Sequence, residues 1–314
     1  MTHAKHFRRQ AFDYGSFFFT GLTGAATFLI LAILGVIIGN ILYNGTGQLS
    51  WHFVLGGTEQ GMFDSEKAGV LPMIVGTSAR VILMTIFVLP TGVITAVYLT
   101  EYAPVNALFT RFIRGGVNNL AGVPSIVFGL FGAGFFVHFI GHNMDAVLYP
   151  NSPRTVWGKE AIIWASLTLA VMTLPVVIVA TEEALKAIPS GLREASLALG
   201  ATKLQTIWRI VPPQALPGIL TGGILAVSRA AGEVAPILMT GAAYYLASLP
   251  KSPTDQFMDL AYHVYILSTQ SVNVEKTRPI LYGTVLVLLS LTFALNILAI
   301  LLRAKMRKKM RLLH

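Results

Sequence analysis

Arg229 and Glu233 stand four residues apart inside "LAVSRAAGEVAPIL", residues 225–238, a stretch otherwise apolar or small. Helical spacing puts the two charges on one face, one turn above the other. Arg80, which follows Thr77 and Ser78, is a second cation inside an apolar run. A charged side chain at the centre of a bilayer costs about 2.5–3.5 kcal/mol on insertion scales, so three such residues call for a reason. A guanidinium presents a planar fork of donors that matches the oxygens of carboxylates and phosphates. Anion handling inside a membrane is therefore one chemistry open to them. In that reading Glu233 holds Arg229 in place and moderates its grip, because a pathway site must release its ion. The other reading is an ion pair that only fixes helix registry. For Arg80, with no acid in its own span, that second reading needs a partner from another helix or chain.

The elements that position these residues follow from composition. Of 314 residues 54% are apolar and 12% charged, and the mean hydropathy is +0.67, whereas soluble domains are about a quarter charged. This composition predicts an all-helical integral membrane protein. A span needs about 20 apolar residues, and six stretches qualify, near 17–43, 70–99, 117–140, 160–181, 215–245 and 280–302. The first is read as an uncleaved span rather than a signal peptide. Alternate loops differ in Lys and Arg. Fifteen lie in the N-terminus (Lys5, Arg8, Arg9), in 100–116, in 182–213 and in the C-terminal tail, against six on the other side. Both termini are thus expected in the cytoplasm. The net charge of +9 is then positive-inside bias and attraction to anionic lipid, not a nucleic-acid site. At 1.5 Å per residue Arg80 falls roughly 14 Å from the outer edge and Arg229 roughly 20 Å from the inner one, similar depths in a core of about 30 Å. The two guanidiniums are expected to line one passage. Beside them, Gly218, Gly222, Ala226 and Ala230 recur every four residues as a strip for close helix packing. Leu225, Arg229 and Glu233 form the neighbouring polar row, and Pro236 ends or kinks the ladder.

Other chemistries find little support. There is no cysteine, no phosphate-binding glycine loop and no H-E-x-x-H zinc motif. His138 and His142 have ligand-like spacing but sit at the outer interface, where polar anchors are the favoured reading over a metal site. No nucleophile with a base and an orienting group is visible, so an enzyme is not expected.

One segment breaks the membrane pattern: "IPSGLREASLALGATKLQTIWRIVPP", residues 188–213. Ser190 is placed to cap a short helix, and Gly200 to end it with a left-handed turn. Leu192, Ala195, Ser196 and Leu199 share one face. Leu204, Ile207, Trp208 and Val211 form a second amphipathic face, stopped by Pro212 and Pro213. Two short helices with a sharp bend are expected on the cytoplasmic side, as an interfacial connector or as a lever fitting a groove in a partner.

This segment resembles the coupling loop of type I ATP-binding-cassette importers, which reads E-A-A, three residues, Gly, nine residues, I-x-L-P. Here Glu194-Ala195-Ser196 is followed at the same spacing by Gly200 and by Ile210-Val211-Pro212-Pro213, with Ser196 and Pro212 as departures. "NLAGVPSIVFGLFG" (119–132), "TLPVVIVATEEAL" (173–185) and "PGILTGGILAVSRAAGEVAPIL" (217–238) are similar to the permease subunits of phosphate importers. The short N-terminal part and "FMDLAYHVYIL" (257–267) favour the PstA type over the PstC type. The resemblance implies one transmembrane permease domain over 1–314 with the type I importer fold and a coupling helix between spans 4 and 5, in the loop 186–213. It implies ATPase coupling through Glu194, Ala195, Gly200, Ile210 and Pro213, and a phosphate path past Arg80, Arg229 and Glu233. The implied partners are a second, PstC-like permease, two PstB-like ATPase subunits that bind the ATP and magnesium, and an outer PstS-like phosphate-binding protein. This chain itself would carry no cofactor, in the inner membrane of a bacterium or archaeon. Two alternatives remain: import of another oxyanion, and a secondary transporter or channel independent of ATP. The coupling-loop pattern speaks against the latter, as does the lack of a repeated half carrying ion-binding acids.

Overall fold

An apolar helix hidden on most sides must be surrounded by other helices, and residues 162–186 form that helix. In a computed structural model, which describes residues 14–58, 61–104 and 106–311, the chain runs through α1 (Tyr14–Gly45), α2 (Trp51–Leu55), α3 (Leu71–Val97), α4 (Leu108–Ala121), α5 (Ser125–Phe131), α6 (His142–Leu148), α7 (Ile162–Lys186), α8 (Ser190–Ala198), α9 (Lys203–Arg209), α10 (Val211–Gly232), α11 (Leu260–Thr269) and α12 (Val274–Arg311). Among the described residues six stretches are helical, long and apolar enough to cross a membrane: Tyr14–Gln48, Leu71–Tyr102, Ser125–Leu148, Ile162–Lys186, Val211–Gly232 and Val274–Lys308. The basic N-terminal residues Lys5, Arg8 and Arg9 lie outside the described residues.

α3 and α10 both pack against α7 and touch each other, and small residues set the approach. A Cβ on Gly92 of α3 would lie 2.6 Å from Val177 Cγ1, and one on Gly222 of α10 would lie 2.7 Å from Ala180 Cβ. Gly218 meets Ala184 in the same way, so the strip predicted from spacing faces α7, with Ala226 and Ala230 fully buried beneath it. α12 packs on α10 and α11, and α1 packs on α12. The apolar side chains of α1, such as Phe17, Phe28 and Ile37, are exposed along its length.

Two expected spans differ. The third was placed at 117–140, but α4 ends at Ala121 and a new helix starts at Ser125. Pro124 disfavours helical backbone at Val123, so the amphipathic α4 is separate. The span instead runs from Ser125 through a π-helical stretch, Gly132–Gly141, into α6. The fifth was placed at 215–245, yet α10 stops at Gly232. Pro236 has no N–H for the Gly232 carbonyl, and its ring would strike that carbonyl, so the ladder ends one turn before the proline.

From Glu233 to Asp259 the chain is irregular, and it supplies what the start of α7 lacks. Ala161 N donates to Thr240 O at 2.9 Å, Ile162 N to Asp255 O at 2.8 Å and Ile163 N to Pro253 O at 3.0 Å. The first amides of a helix have no partner inside it. Irregular backbone at membrane depth is tolerated where it is buried in protein or lines a cavity. Ile237, Thr240 and Phe257 are buried.

Candidate functional site

Arg229 sits in the last turn of α10, where the partial negative charge of the helix end favours a cation. Its Nε donates to Glu233 Oε1 at 3.3 Å, one turn on at the helix boundary. The Arg229 side chain is 47% exposed and that of Glu233 21%. Leu225, one turn earlier in the row, is also exposed. Beside them Ser228 Oγ accepts a hydrogen bond from Asn296 Nδ2 of α12 at 3.2 Å. Arg229 lies about 27 Å along α10 from Val211 at 1.5 Å per residue. Ionisable side chains within membrane spans face the bundle interior or a water-filled cavity, and the exposure of this row within the chain leaves it open to water or to another chain.

Arg80 reaches the same helix end from the opposite side. Its Nη2 lies 2.8 Å from Asp259 Oδ2, to which Nε also donates at 3.0 Å. Nη1 donates to Ala230 O at 2.8 Å and Nη2 to Ala231 O at 3.3 Å. The last carbonyls of a helix lack internal partners, so Arg80 caps α10 from α3. Both charged side chains are 0% exposed. In this structure Arg80 thus lies sealed beneath the wall on which Arg229 stands, and the expected passage lined by both guanidiniums is not what the geometry shows. Burial accounts for the difference: an unpaired guanidinium in the core is costly, and Asp259 compensates it.

Asp259 was not singled out from the sequence. Its Oδ1 accepts from Ala261 N and Tyr262 N at the start of α11, and its Oδ2 accepts from the Thr77 hydroxyl at 2.9 Å. An aspartate just before an apolar helical run is a capping signal. Nothing local links it to a residue 179 positions away. One turn along α11, burial pushes the His263 imidazole down to about 4, so it stays neutral and adds no charge beside the pair.

Beyond the C-terminal end of α7 the two short helices form as expected. Gly200 has φ +85°, the left-handed conformation that glycine takes without a Cβ penalty. Ser190 does not cap α8: Pro189 holds the capping position with extended backbone, and no side chain bonds there. The built cap lies on α9, where Thr202 and Gln205 form a reciprocal capping box. Across the bend Ser196 Oγ and Thr206 Oγ1 share a hydrogen bond of 2.9 Å, so the departure from the loop consensus at Ser196 fastens α8 to α9. Ile207 and Val211 are buried, whereas Leu192, Leu204 and Trp208 are exposed and Leu199 is 89% exposed. Glu194 and Ala195 are exposed, Ile210 is half-buried and Pro213 exposed. Among the described residues Glu194 makes no ion pair within 4.0 Å. The four apolar side chains of Leu192, Leu199, Leu204 and Trp208 are thus left uncovered within the chain.

His138 and His142 have ring centroids 6.0 Å apart. The carboxylate nearest in sequence, Asp145, spends its oxygens on the backbone amides of Val156, Trp157 and Gly158. Among the described residues no group of three potential ligands could hold a metal ion.

A family model described as "binding-protein-dependent transport system inner membrane component" matches residues 89–312. The probable ABC transporter permease protein YqgI of Bacillus subtilis is 35% identical over 70% of this chain and 68% of its own length. The phosphate transport system permease protein PstA 1 of Mycobacterium tuberculosis is 35% identical over 71% of this chain and 66% of its own length. PstA of Pasteurella multocida is 32% identical over 70% and 71%. Among solved structures, a chain of the bacterial alginate ABC transporter aligns at 14% identity with a TM-score of 0.62, covering 90% of this chain and 92% of its own. A chain of the inward-facing MetNI methionine ABC transporter aligns at 20% identity with a TM-score of 0.53, covering 76% and 94%. These structures show a shared fold.

Proposed function

The chain belongs to the family of inner-membrane components of binding-protein-dependent transport systems, and from that premise we propose that it is the permease subunit of an ATP-driven phosphate importer. It is a multi-pass membrane permease with the type I importer fold, and the family is one of non-catalytic subunits. The observation that carries the finer reading is the Arg229–Glu233 pair, partly exposed at the end of a membrane-spanning helix that Arg80 clamps from behind. The names of the mycobacterial and Pasteurella relatives support phosphate as the anion.

Phosphate reaching the row competes with the Glu233 carboxylate for the Arg229 fork. Glu233 takes the guanidinium back as the ion leaves, which keeps binding weak enough for release. The other wall of the passage belongs to a second, PstC-like permease that covers the exposed row. Arg80 and Asp259 act from behind, by fixing where α10 ends. The α8–α9 loop docks a PstB-like ATPase through Leu199, Leu204 and Trp208, with Glu194 at the edge of the contact. ATP and magnesium belong to that ATPase, and a PstS-like protein delivers phosphate to the outer face. Both termini lie in the cytoplasm.

The test is reconstitution. Proteoliposomes holding the full complex and its binding protein accumulate radiolabelled phosphate when ATP is present on the ATPase side and not without it. An excess of sulfate leaves uptake unchanged. Uptake without ATP, or suppression by sulfate, overturns this assignment.

A further inference from the structure

Arg193, the residue before Glu194, is bound unlike its neighbours in the loop. Its Nη1 donates to Ile188 O at 2.9 Å and its Nη2 to Leu185 O at 2.9 Å. Nη2 and Nε also donate to Glu101 Oε1, at 2.8 and 3.2 Å. Leu185 lies in the last turn of α7 and Ile188 two residues beyond its end, where carbonyls lack helical partners. Glu101 lies in the π-turn Tyr98–Tyr102 that closes α3. The two side chains are 22% and 10% exposed, so the contact is largely shielded from water. One guanidinium on the first loop helix thus grips the inner ends of both α3 and α7.

What it grips is a single body. Gly92 seats against Val177, and Ser166 Oγ of α7 donates to Arg80 O of α3 at 3.2 Å. At its outer half α3 carries Arg80, which holds the last carbonyls of α10, and Arg229 stands on that helix end. A contiguous chain of packed elements and ion pairs therefore joins α8 to the Arg229 row, a physical route along which coupling between distant sites can run.

We propose that Arg193 and Glu101 form the joint that passes displacement of the α8–α9 loop into α3 and α7, and along α3 to the end of α10. Arg193 is a positioning residue: it touches neither the anion nor a nucleotide. The inference rests on the reading that the ATPase docks on this loop.

The protein has no cysteine, which makes the joint testable with Glu101→Cys/Arg193→Cys in the assembled complex, with inorganic phosphate as the transported probe. In the reduced variant, ATPase still co-purifies, while phosphate moved per ATP hydrolysed falls about tenfold, within the range typical of a lost coupling between sites. Bridging the two thiols with a short bifunctional reagent, in the same preparation, restores the ratio. A purely structural contact would not give this recovery in molecules already assembled. If the double variant does not accumulate, Arg193→Lys keeps the charge, loses the fork and is read by the same ratio. A wild-type ratio in the reduced double variant or in Arg193→Lys overturns the proposal, as does a low ratio that bridging leaves unchanged. Failure of Glu194→Cys to crosslink to the ATPase in an otherwise native complex overturns the docking reading beneath it instead.

Discussion

Asp259→Asn isolates the buried charge at the heart of the clamp. The amide oxygen can still accept from Ala261 N and Tyr262 N, so the cap on α11 survives, a contribution of about 1 kcal/mol. What disappears is the negative charge 2.8 Å from Arg80 Nη2, at a site where both side chains are 0% exposed. An uncompensated buried charge costs about 3–5 kcal/mol, which lowers the ratio of folded to unfolded molecules by a factor of about 100 to several thousand. Removing both charges while keeping hydrogen-bonding groups, as in Arg80→Gln/Asp259→Asn, removes that penalty. The two carboxamides keep the cap on α11 and a donor for one of the two α10 carbonyls, so one buried group loses its partner, at about 1–3 kcal/mol. The assay is the fraction of complex in nanodiscs that survives a graded heat step, followed by size-exclusion chromatography. Asp259→Asn is expected to be the least stable and the double variant closer to wild type, though poor in phosphate uptake because only one of the two α10 carbonyls is still held. A single variant as stable as wild type, or a double variant less stable than the single, refutes the reasoning.

Three further outcomes follow from the structure. Gly200→Val puts a β-branched residue at φ +85°, at about 1–2 kcal/mol; a Cβ there meets nothing within 4 Å, so insertion survives while transport-linked ATP hydrolysis falls, and unchanged hydrolysis in vesicles counts against the lever. Glu194→Gln weakens ATPase association at raised salt, read by co-purification across a salt series; association equal to wild type at every salt leaves only a helix-dipole role, typically about 0.3–1 kcal/mol. Gly222→Val drives a side chain into Ala180 across the α7–α10 contact and lowers stability by about 1–3 kcal/mol, measured by the same heat step; a neutral result would mean that α10 does not sit this close to α7.

Legibility in the sequence tracked how local the cause was. The six spans, the small-residue strip on α10 and the left-handed turn at Gly200 each follow from spacing within one helix or one turn, and each forms. The break before Ser125 is written in Pro124, but a long apolar run across it hid the turn. The end of α10 is written in Pro236 and falls four residues earlier, because a proline removes the bond to the residue one turn back. The π-helical stretch at 132–141 has no sequence signal that we can identify. The clamp and the joint were out of reach for a different reason. Arg80–Asp259 and Arg193–Glu101 join residues 179 and 92 positions apart, and only the packing of α3 on α7 and α10 brings them together. Arg229 and Glu233, four apart, were legible as a pair, whereas the outward direction of their row was not.

Phosphate uptake per assembled complex for Arg229→Gln tests the central claim most directly. Within the chain this i,i+4 pair is partly exposed, 47% at Arg229 and 21% at Glu233, and ion pairs open to water contribute little to stability. The account therefore predicts complex at the wild-type level with uptake abolished, Arg229→Lys transporting poorly because it lacks the fork, and Glu233→Gln slowing release rather than assembly. If Arg229→Gln instead loses complex in proportion to uptake, and exchanging the two residues restores both, the pair is structural and phosphate does not pass along it.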